Sequence, residues 1–194
     1  MKNNMDNKTL ICKKKNINLY KIDKNNNISF ELNFNVTNTN IIIRNVVNFK
    51  LFELMAELNK DIIKKQIILQ SNNDFIDLLI IFEKFSDDLG INKQYYTTRT
   101  NKIELDNKTI FSSVNIDIDS ESIYNNHKID LTKYSLIKNS DNILEFSYLN
   151  KNSMNCIYKF SIDIDDDLPE YMENMLGLLM KKVFFRLKTF IENI

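Results

Sequence analysis

The sequence contains very little glycine, histidine, cysteine or proline. Its 194 residues include two glycines, one proline, one histidine and two cysteines, and tryptophan is absent. Gly90 and Gly177 stand far apart, so no glycine-rich loop exists to hold phosphates, which argues against nucleotide hydrolysis and dinucleotide-dependent redox chemistry. His127, Cys12 and Cys156 are too few and too scattered for a zinc-ligand pattern. We therefore predict no cofactor, no metal site and no catalytic residue.

A charge excess and a long apolar run are also missing. The 26 Lys and Arg residues balance 26 Asp and Glu residues, and a net charge of zero argues against a dedicated binder of nucleic acid or anionic membranes. No segment approaches the ~20 apolar residues of a membrane span, and the polar N-terminus lacks a signal-peptide pattern. We expect a soluble, intracellular, cytoplasmic protein with reduced cysteines. Abundant Asn, Lys and Ile indicate an AT-rich genome, such as that of a virus, a protist or a bacterium.

Length and composition predict a single domain over residues 1–194. Its apolar content of 43% is sufficient for one core, and the sequence has no repeat or linker. Residues 1–26 are interpreted as a basic N-terminal hairpin extension, because residues 1–24 carry seven lysines against two aspartates. Residues 27–194 form the main α+β body.

Alternating apolar and polar residues predict most of the strands. Ile28–Val36 has the clearest alternation, and Asn16–Ile22 predicts a partner strand that joins it through a turn at Asp23–Asn26. Later short alternating segments, separated by Asn, Asp and Ser clusters, predict an antiparallel meander. These segments are Tyr95–Leu105, Thr109–Ile118, Lys128–Ile137, Ile143–Leu149 and Met154–Ile164.

Apolar residues at three- and four-residue spacing predict the helices. Ile43–Leu58 and Asp74–Leu89 are predicted as two short helices, the second ended by Gly90, and Leu168–Ile194 as one long helix. Asp61–Gln70 fits either a helix or a buried strand, and we favour the strand. The expected fold class is α+β, an antiparallel curved sheet with two short helices and a long C-terminal helix packed on it.

The C-terminal helix has an unusually wide apolar face. At 100° per residue its apolar side chains fill an arc approaching half the circumference, which predicts an apolar covering along most of its length. The arc consists of Met172, Met175, Leu176, Leu179, Met180, Val183, Phe184, Leu187, Phe190, Ile191 and Ile194. Arg186 also falls inside it. Two interpretations stay open: the guanidinium extends to an edge, or it binds the anionic head group of a ligand in an apolar cavity.

This order of elements, from about residue 27 onward, resembles the helix-grip superfamily of START-like and polyketide-cyclase-like proteins. The most similar part is Met154–Ile194, where an alternating strand, Asp167-Leu168-Pro169 and an amphipathic helix follow one another. The N-terminal hairpin and the lack of a glycine-containing hairpin depart from the pattern. The resemblance implies a curved sheet wrapped around the C-terminal helix, with a cavity between them. It implies no catalytic residue, because the superfamily shares none.

Three functions stay open. The first is non-enzymatic binding of an apolar or amphipathic ligand, such as a lipid, in a cavity between sheet and helix; the candidate residues are Tyr148, Tyr158, Met180, Phe184 and Arg186. The second is a structural or protein-interaction role, in which the apolar helix docks on a second copy or on a partner. The third is single-stranded nucleic-acid binding, which the neutral charge disfavours; the candidate residues are Lys13, Lys14 and Lys15, with Lys64 and Lys65.

Overall fold

An antiparallel curved sheet and a long C-terminal helix make up most of the computed structural model, which describes residues 7–24, 27–82, 93–138, 142–161 and 170–194. The strands are β1 (Asn7–Lys14), β2 (Ile17–Lys24), β3 (Asn27–Thr37), β4 (Ile63–Ser71), β5 (Phe75–Phe82), β6 (Gln94–Leu105), β7 (Lys108–Asn115), β8 (Ser135–Leu136), β9 (Asn142–Asn150) and β10 (Ser153–Ser161). The helices are α1 (Lys50–Leu58), α2 (Ser120–His127) and α3 (Glu170–Asn193), with 3-10 helices at Ile43–Val46 and Leu131–Lys133. The predicted α+β class is confirmed.

In the sheet, an early strand of the chain pairs with the last one. Its order is β1-β2-β3-β10-β9-β7-β6-β5-β4, with antiparallel neighbours, and β8 pairs in parallel with the start of β6. β3 pairs with β10 from Thr37 opposite Ser153 to Ser29 opposite Ser161. The predicted hairpin of β2 and β3 is confirmed, and β1 extends it at one edge. The favoured strand within Asp61–Gln70 is confirmed as β4.

The predicted helix over Asp74–Leu89 is wrong, because its first half forms β5. Residues 83–92, which include Gly90, lie outside the described residues. β5 is buried on both faces: Leu79 and Ile81 pack against Ile123 of α2 on the outer face, and Leu78 faces the inner side of the sheet. A strand covered on both faces is a continuous apolar run, which periodicity alone does not distinguish from a buried helix.

The predicted strand over Lys128–Ile137 is also wrong, except for the two residues of β8. Asp119 precedes α2 and accepts a hydrogen bond from the Glu121 amide, and Lys128, which follows the helix, adopts a left-handed conformation (φ 58°). Asp130 then caps the second 3-10 helix by accepting from the Thr132 amide. The alternating apolar residues of this segment predict a strand, but the two capping carboxylates stabilise helical turns instead.

The predicted helix over Ile43–Leu58 is divided in the structure. A 3-10 helix covers Ile43–Val46, and α1 begins only at Lys50. Asn48 separates the two, because its side-chain oxygen accepts a hydrogen bond from the Lys50 amide at 2.9 Å. Asn side chains favour such local bonds over a continuing helix. The division sets α1 beside α3 and β4.

The long C-terminal helix is confirmed as α3, and its predicted first residues, 168–169, lie outside the described residues. Part of the predicted apolar arc is buried against the sheet and α1, namely Leu176, Val183, Phe184, Leu187 and Ile191. Buried Asn38, which follows β3, holds the end of the helix by donating to the carbonyls of Ile191 (2.7 Å) and Ile194 (2.9 Å). These carbonyls have no partner within the helix, so the two hydrogen bonds from Asn38 satisfy them and hold the end of α3 against the sheet.

Gly177 allows α3 to lie very close to the sheet at β2 and β3. A Cβ atom at this position would be 2.8 Å from Cε1 of Phe30 and 3.2 Å from Cδ2 of Leu19. Phe30 is buried and stacks on Phe160, so its ring cannot simply turn into solvent. The second glycine of the chain is therefore explained by close packing of helix on sheet.

Candidate functional site

A cavity of about 140 Å³ lies between the inner face of the sheet, α1 and α3. Phe52 and Met55 of α1 line one side. The contribution of α3 is apolar and comes from successive turns of the helix: Leu176, Leu179, Met180, Val183 and Phe184. The curved sheet and the long helix thus enclose an apolar space, as the element order implied.

The sheet side of the cavity carries neutral polar groups. Tyr96, Thr98 and Thr100 lie on one face of β6, because alternate residues of a strand share a face. The Thr100 hydroxyl bonds the hydroxyl of Ser113 on β7 at 2.8 Å, and the Thr98 hydroxyl donates to the Val114 carbonyl at 3.0 Å. No charged side chain is found among the described residues that line the cavity.

Tyr158 and Asn142 bring further polar atoms to the same wall. The Tyr158 ring lies 4.9 Å from that of Phe160 and 4.7 Å from that of Phe184, measured between ring centroids. Burial, with a smaller contribution from Tyr96, raises the pKa of Tyr158 far above its ordinary value, so the phenol is neutral. The Asn142 side chain accepts from the Ser161 amide at 3.2 Å and donates to the Tyr96 hydroxyl at 3.4 Å.

Solved structures share this fold. The lipid transfer and protein localization domain of human StarD13 (DLC2) matches with a TM-score of 0.73 and 8% identity, over 98% of this chain and 91% of that one. Human STARD10 matches with a TM-score of 0.69 and 7% identity, over 95% and 72% of the two chains. A STAR-related lipid transfer protein fragment from Xanthomonas axonopodis gives 0.67 and 6%, over 96% and 99%.

The chain has a START-like helix-grip fold. This confirms the resemblance seen in the order of its elements. No protein-family model matches the sequence, and no curated protein matches it either. At identities of 6–8%, the likeness to the START-like structures is a likeness of fold alone.

Within this START-like fold, the predicted ligand residues divide into two groups. Met180, Phe184 and Tyr158 line the cavity together. Tyr148 does not line it; its hydroxyl bonds the Thr109 hydroxyl at 2.7 Å, and the Arg44 guanidinium lies 5.2 Å from its ring centroid. Sequence reasoning missed the polar row on β6, although the alternation of Tyr96, Thr98 and Thr100 was a readable signal.

Arg186 also lies away from the cavity. Its guanidinium forms a two-pronged ion pair with Asp61, in which Nη2 donates to Oδ2 at 3.0 Å, and Nη1 also donates to the Asn59 side chain at 3.0 Å. Lys182 donates to the same carboxylate at 2.8 Å. Of the two interpretations of Arg186, the structure shows the first: the guanidinium extends to the edge of the apolar face of α3. There it pairs with Asp61, in the segment that follows α1, and so connects this segment to α3.

The Asp61 cluster predicts a pH-dependent contribution to stability. Hydrogen bonds from Arg186, and then from Lys182, hold the pKa of Asp61 well below its ordinary value. Because the folded-state pKa is the lower one, the pair stabilises the fold above about pH 4, and this contribution is lost as pH falls toward the folded-state value. With 39% of the Asp61 side chain exposed, we expect Asp61→Asn to cost about 0.5–1 kcal/mol at pH 7.

Urea unfolding of wild type and Asp61→Asn at pH 7 and pH 2.5 measures this contribution. The difference in unfolding free energy between them should shrink at the lower pH. Asp117→Asn is the control, since Asp117 is exposed and has no ion pair within the described part of the chain. A difference that stays constant between the two pH values would contradict the assigned role of the Asp61 carboxylate.

The remaining predicted surfaces are dispersed over this START-like domain. Lys13 and Lys14 lie at the β1 edge, and Lys15 places its ammonium 4.0 Å from the Phe185 ring centroid; Lys64 and Lys65 lie on β4, the opposite edge of the sheet. None of the described helices combines the length and apolarity that crossing a bilayer requires. The described ranges also contain no group of three or more His, Cys, Asp or Glu side chains that could hold a metal ion.

Proposed function

We propose that the protein binds a small, neutral, apolar or amphipathic molecule in the cavity between sheet and α3, and that it does so without catalysing a reaction. The observation that carries this proposal is the cavity wall, which is apolar on the helix side and hydroxyl-bearing but uncharged on the sheet side. The START-like structures that it matches include proteins named for lipid transfer, which supports an apolar ligand.

The wall chemistry favours a neutral ligand over an anionic one. A charged group that leaves water needs a charged partner or several hydrogen bonds, and the described lining residues provide only neutral hydroxyl, phenol and amide groups. Arg186, the candidate anchor for an anion, is ion-paired with Asp61 outside the cavity. A hydroxyl or carbonyl group on an otherwise apolar molecule fits this wall.

The volume limits the size of the ligand. About 140 Å³ is of the order of a cavity that holds one benzene-sized molecule, and it is below the roughly 300–1,000 Å³ of most ligand pockets. The cavity as it stands therefore accommodates a single ring or a short chain. A larger lipid would have to displace α1 or α3 from the sheet.

A titration with benzyl alcohol, monitored by the methyl signals of 13C-labelled methionine, tests the proposal. Met55 and Met180 line the cavity, whereas Met175 is 43% exposed on the same helix as Met180. Benzyl alcohol should shift the Met55 and Met180 signals saturably and leave Met175 unchanged. Benzoate, similar in size but anionic, should shift none of them at the same concentrations.

Two neighbouring substitutions on α3 supply the matched control. Leu179→Phe adds volume inside the cavity and should abolish the benzyl alcohol shifts, whereas Leu178→Phe adds the same volume at an exposed position and should preserve them. Shifts that persist in Leu179→Phe, or that benzoate produces equally, would contradict binding of a neutral ligand at this site. Native mass spectrometry of the purified wild type would identify a co-purifying molecule.

A further inference from the structure

Cys12 on β1 and Lys181 on α3 form a close pair across the structure. The Lys181 amine donates a hydrogen bond to the Cys12 sulfur at a nitrogen–sulfur distance of 2.9 Å. The two residues are 169 positions apart in the sequence, so the contact is created by the packing of the C-terminal helix against the edge of the sheet.

The surroundings of Lys181 are unusual for a lysine. The residue is only 8% exposed, and buried ammonium groups ordinarily face a carboxylate. Its neighbours on α3 have such partners: Lys182 pairs with Asp61, and Lys188 pairs with Glu192. Among the described residues, the Cys12 sulfur is the one hydrogen-bonding partner of the Lys181 amine, and no carboxylate lies within ion-pair distance of it.

The two cysteines differ in their access to solvent. Cys12 is half-buried on an edge strand, whereas Cys156 is fully buried on β10 in the middle of the sheet. Burial raises the pKa of the Cys156 thiol, which keeps it in the unreactive protonated form. A small oxidant therefore reaches Cys12 more readily than Cys156.

We propose that Cys12 and Lys181 are a site of oxidative modification, at which a peroxide produces a covalent sulfur–nitrogen bridge between β1 and α3. The basis is the 2.9 Å contact between a half-buried sulfur and a buried amine that faces no carboxylate among the described residues. A nucleophile already at this distance needs little movement to bond once the sulfur becomes electrophilic.

The reaction has two steps and uses one peroxide. The Cys12 thiolate attacks an oxygen of hydrogen peroxide; the sulfur–oxygen bond forms and the oxygen–oxygen bond breaks, leaving a sulfenic acid, and the expelled hydroxide takes a proton from the Lys181 ammonium and is released as water, which leaves the amine neutral. The neutral Lys181 amine then attacks the sulfenic sulfur; the sulfur–nitrogen bond forms, and the sulfur–oxygen bond breaks with release of a second water. The thiol is oxidised, the peroxide is reduced to water, and the protein loses two hydrogen atoms overall.

Such a bridge would fasten the helix to the edge of the sheet. Lys181 directly follows Met180, which lines the cavity, so the bridge restrains one wall of that space. It also closes a loop of nearly the whole chain, which lowers the entropy of the unfolded state as a long-range disulfide does. We expect oxidation to raise the melting temperature by ~5 °C or more and a thiol reductant to reverse the change.

Peptide mapping after treatment of the folded protein with hydrogen peroxide tests the bridge. Trypsin should release residues 9–13 covalently joined to residues 160–182, with the loss of two hydrogens, or with one oxygen retained between sulfur and nitrogen if a second peroxide reacts. Dithiothreitol should separate the two peptides. Cys12→Ser and Lys181→Arg should each abolish the joined product.

Two control variants keep the test decisive. Lys182→Arg alters the adjacent exposed lysine and should leave the joined product unchanged, and Cys156→Ala should do the same. Circular dichroism of each variant confirms that it is folded before oxidation. Recovery of Cys12 as sulfinic or sulfonic acid with an unmodified 160–181 peptide, or as a disulfide between two chains, would overturn the proposal, as would a thiol that stays reduced.

Discussion

A chain that ends at Asp167 is expected to form a molten or aggregating product instead of a folded domain. Its missing helix, α3, contributes five buried apolar side chains: Leu176, Val183, Phe184, Leu187 and Ile191. At ~1.5–3 kcal/mol for each, their burial is comparable with the whole stability of a domain, about 5–15 kcal/mol. The apolar side chains of β2, β3 and β10 on the inner face of the sheet would also lose the helix that covers them.

Thermal unfolding followed by circular dichroism, together with size-exclusion chromatography, measures this effect. The truncated chain should melt without a cooperative transition and elute with aggregates, and a synthetic peptide of residues 168–194 added in trans should restore part of the transition. A soluble 1–167 fragment with a sharp melting transition would show that α3 is not required for the core.

Phe184→Ala is the single substitution from which we expect the largest loss of stability. Phe184 is 1% exposed, and its ring centroid lies 4.7 Å from that of Tyr158 and 6.0 Å from that of Phe34. Removing a buried phenylalanine ring costs about 3–5 kcal/mol, because the transfer free energy is lost and an unfilled space remains. Here the space left by the ring would join the existing cavity.

Urea unfolding of Phe184→Ala, with Phe190→Ala as the matched control, distinguishes burial from a general effect on the helix. Phe190 belongs to α3 as well but is 38% exposed, so its loss should cost much less, about 1 kcal/mol. Equal losses of unfolding free energy in the two variants would mean that truncation of any aromatic side chain on α3 destabilises the fold. The contact between Phe184 and Tyr158 would then contribute no additional stability.

The elements that the sequence predicted most clearly are those with one solvent-exposed face. β3, β9 and β10 alternate between buried apolar side chains and more exposed polar ones over most of their length, so a period of two identifies them without knowledge of their neighbours. α3 is recognisable for the corresponding reason, since its apolar residues keep helical spacing over its full length. In both cases the local pattern and the three-dimensional environment agree.

The error at β5 falls where distant partners decide the structure, whereas the errors at Lys128–Ile137 and Ile43–Leu58 come from local capping bonds. β5 is apolar on both faces because α2 covers one face and the cavity lies on the other, and neither neighbour is visible in its own sequence. The Arg186–Asp61 pair joins residues 125 positions apart, so no local spacing in the sequence predicts it. The polar wall of the cavity is likewise assembled from separate strands. Docking of a protein partner and binding of nucleic acid stay predictions.

The positions of α3 are subject to two different constraints, because Gly177 packs directly on the sheet and other positions face the cavity. Gly177 lies against Phe30 and Leu19 of the sheet, whereas Leu179 and Val183 face the cavity. Under the proposed function, selection for a different ligand acts on the second set, while the first keeps α3 packed on the sheet. Among homologues that accept different molecules, we expect a small residue to persist at position 177 and the side chains at positions 179 and 183 to diverge.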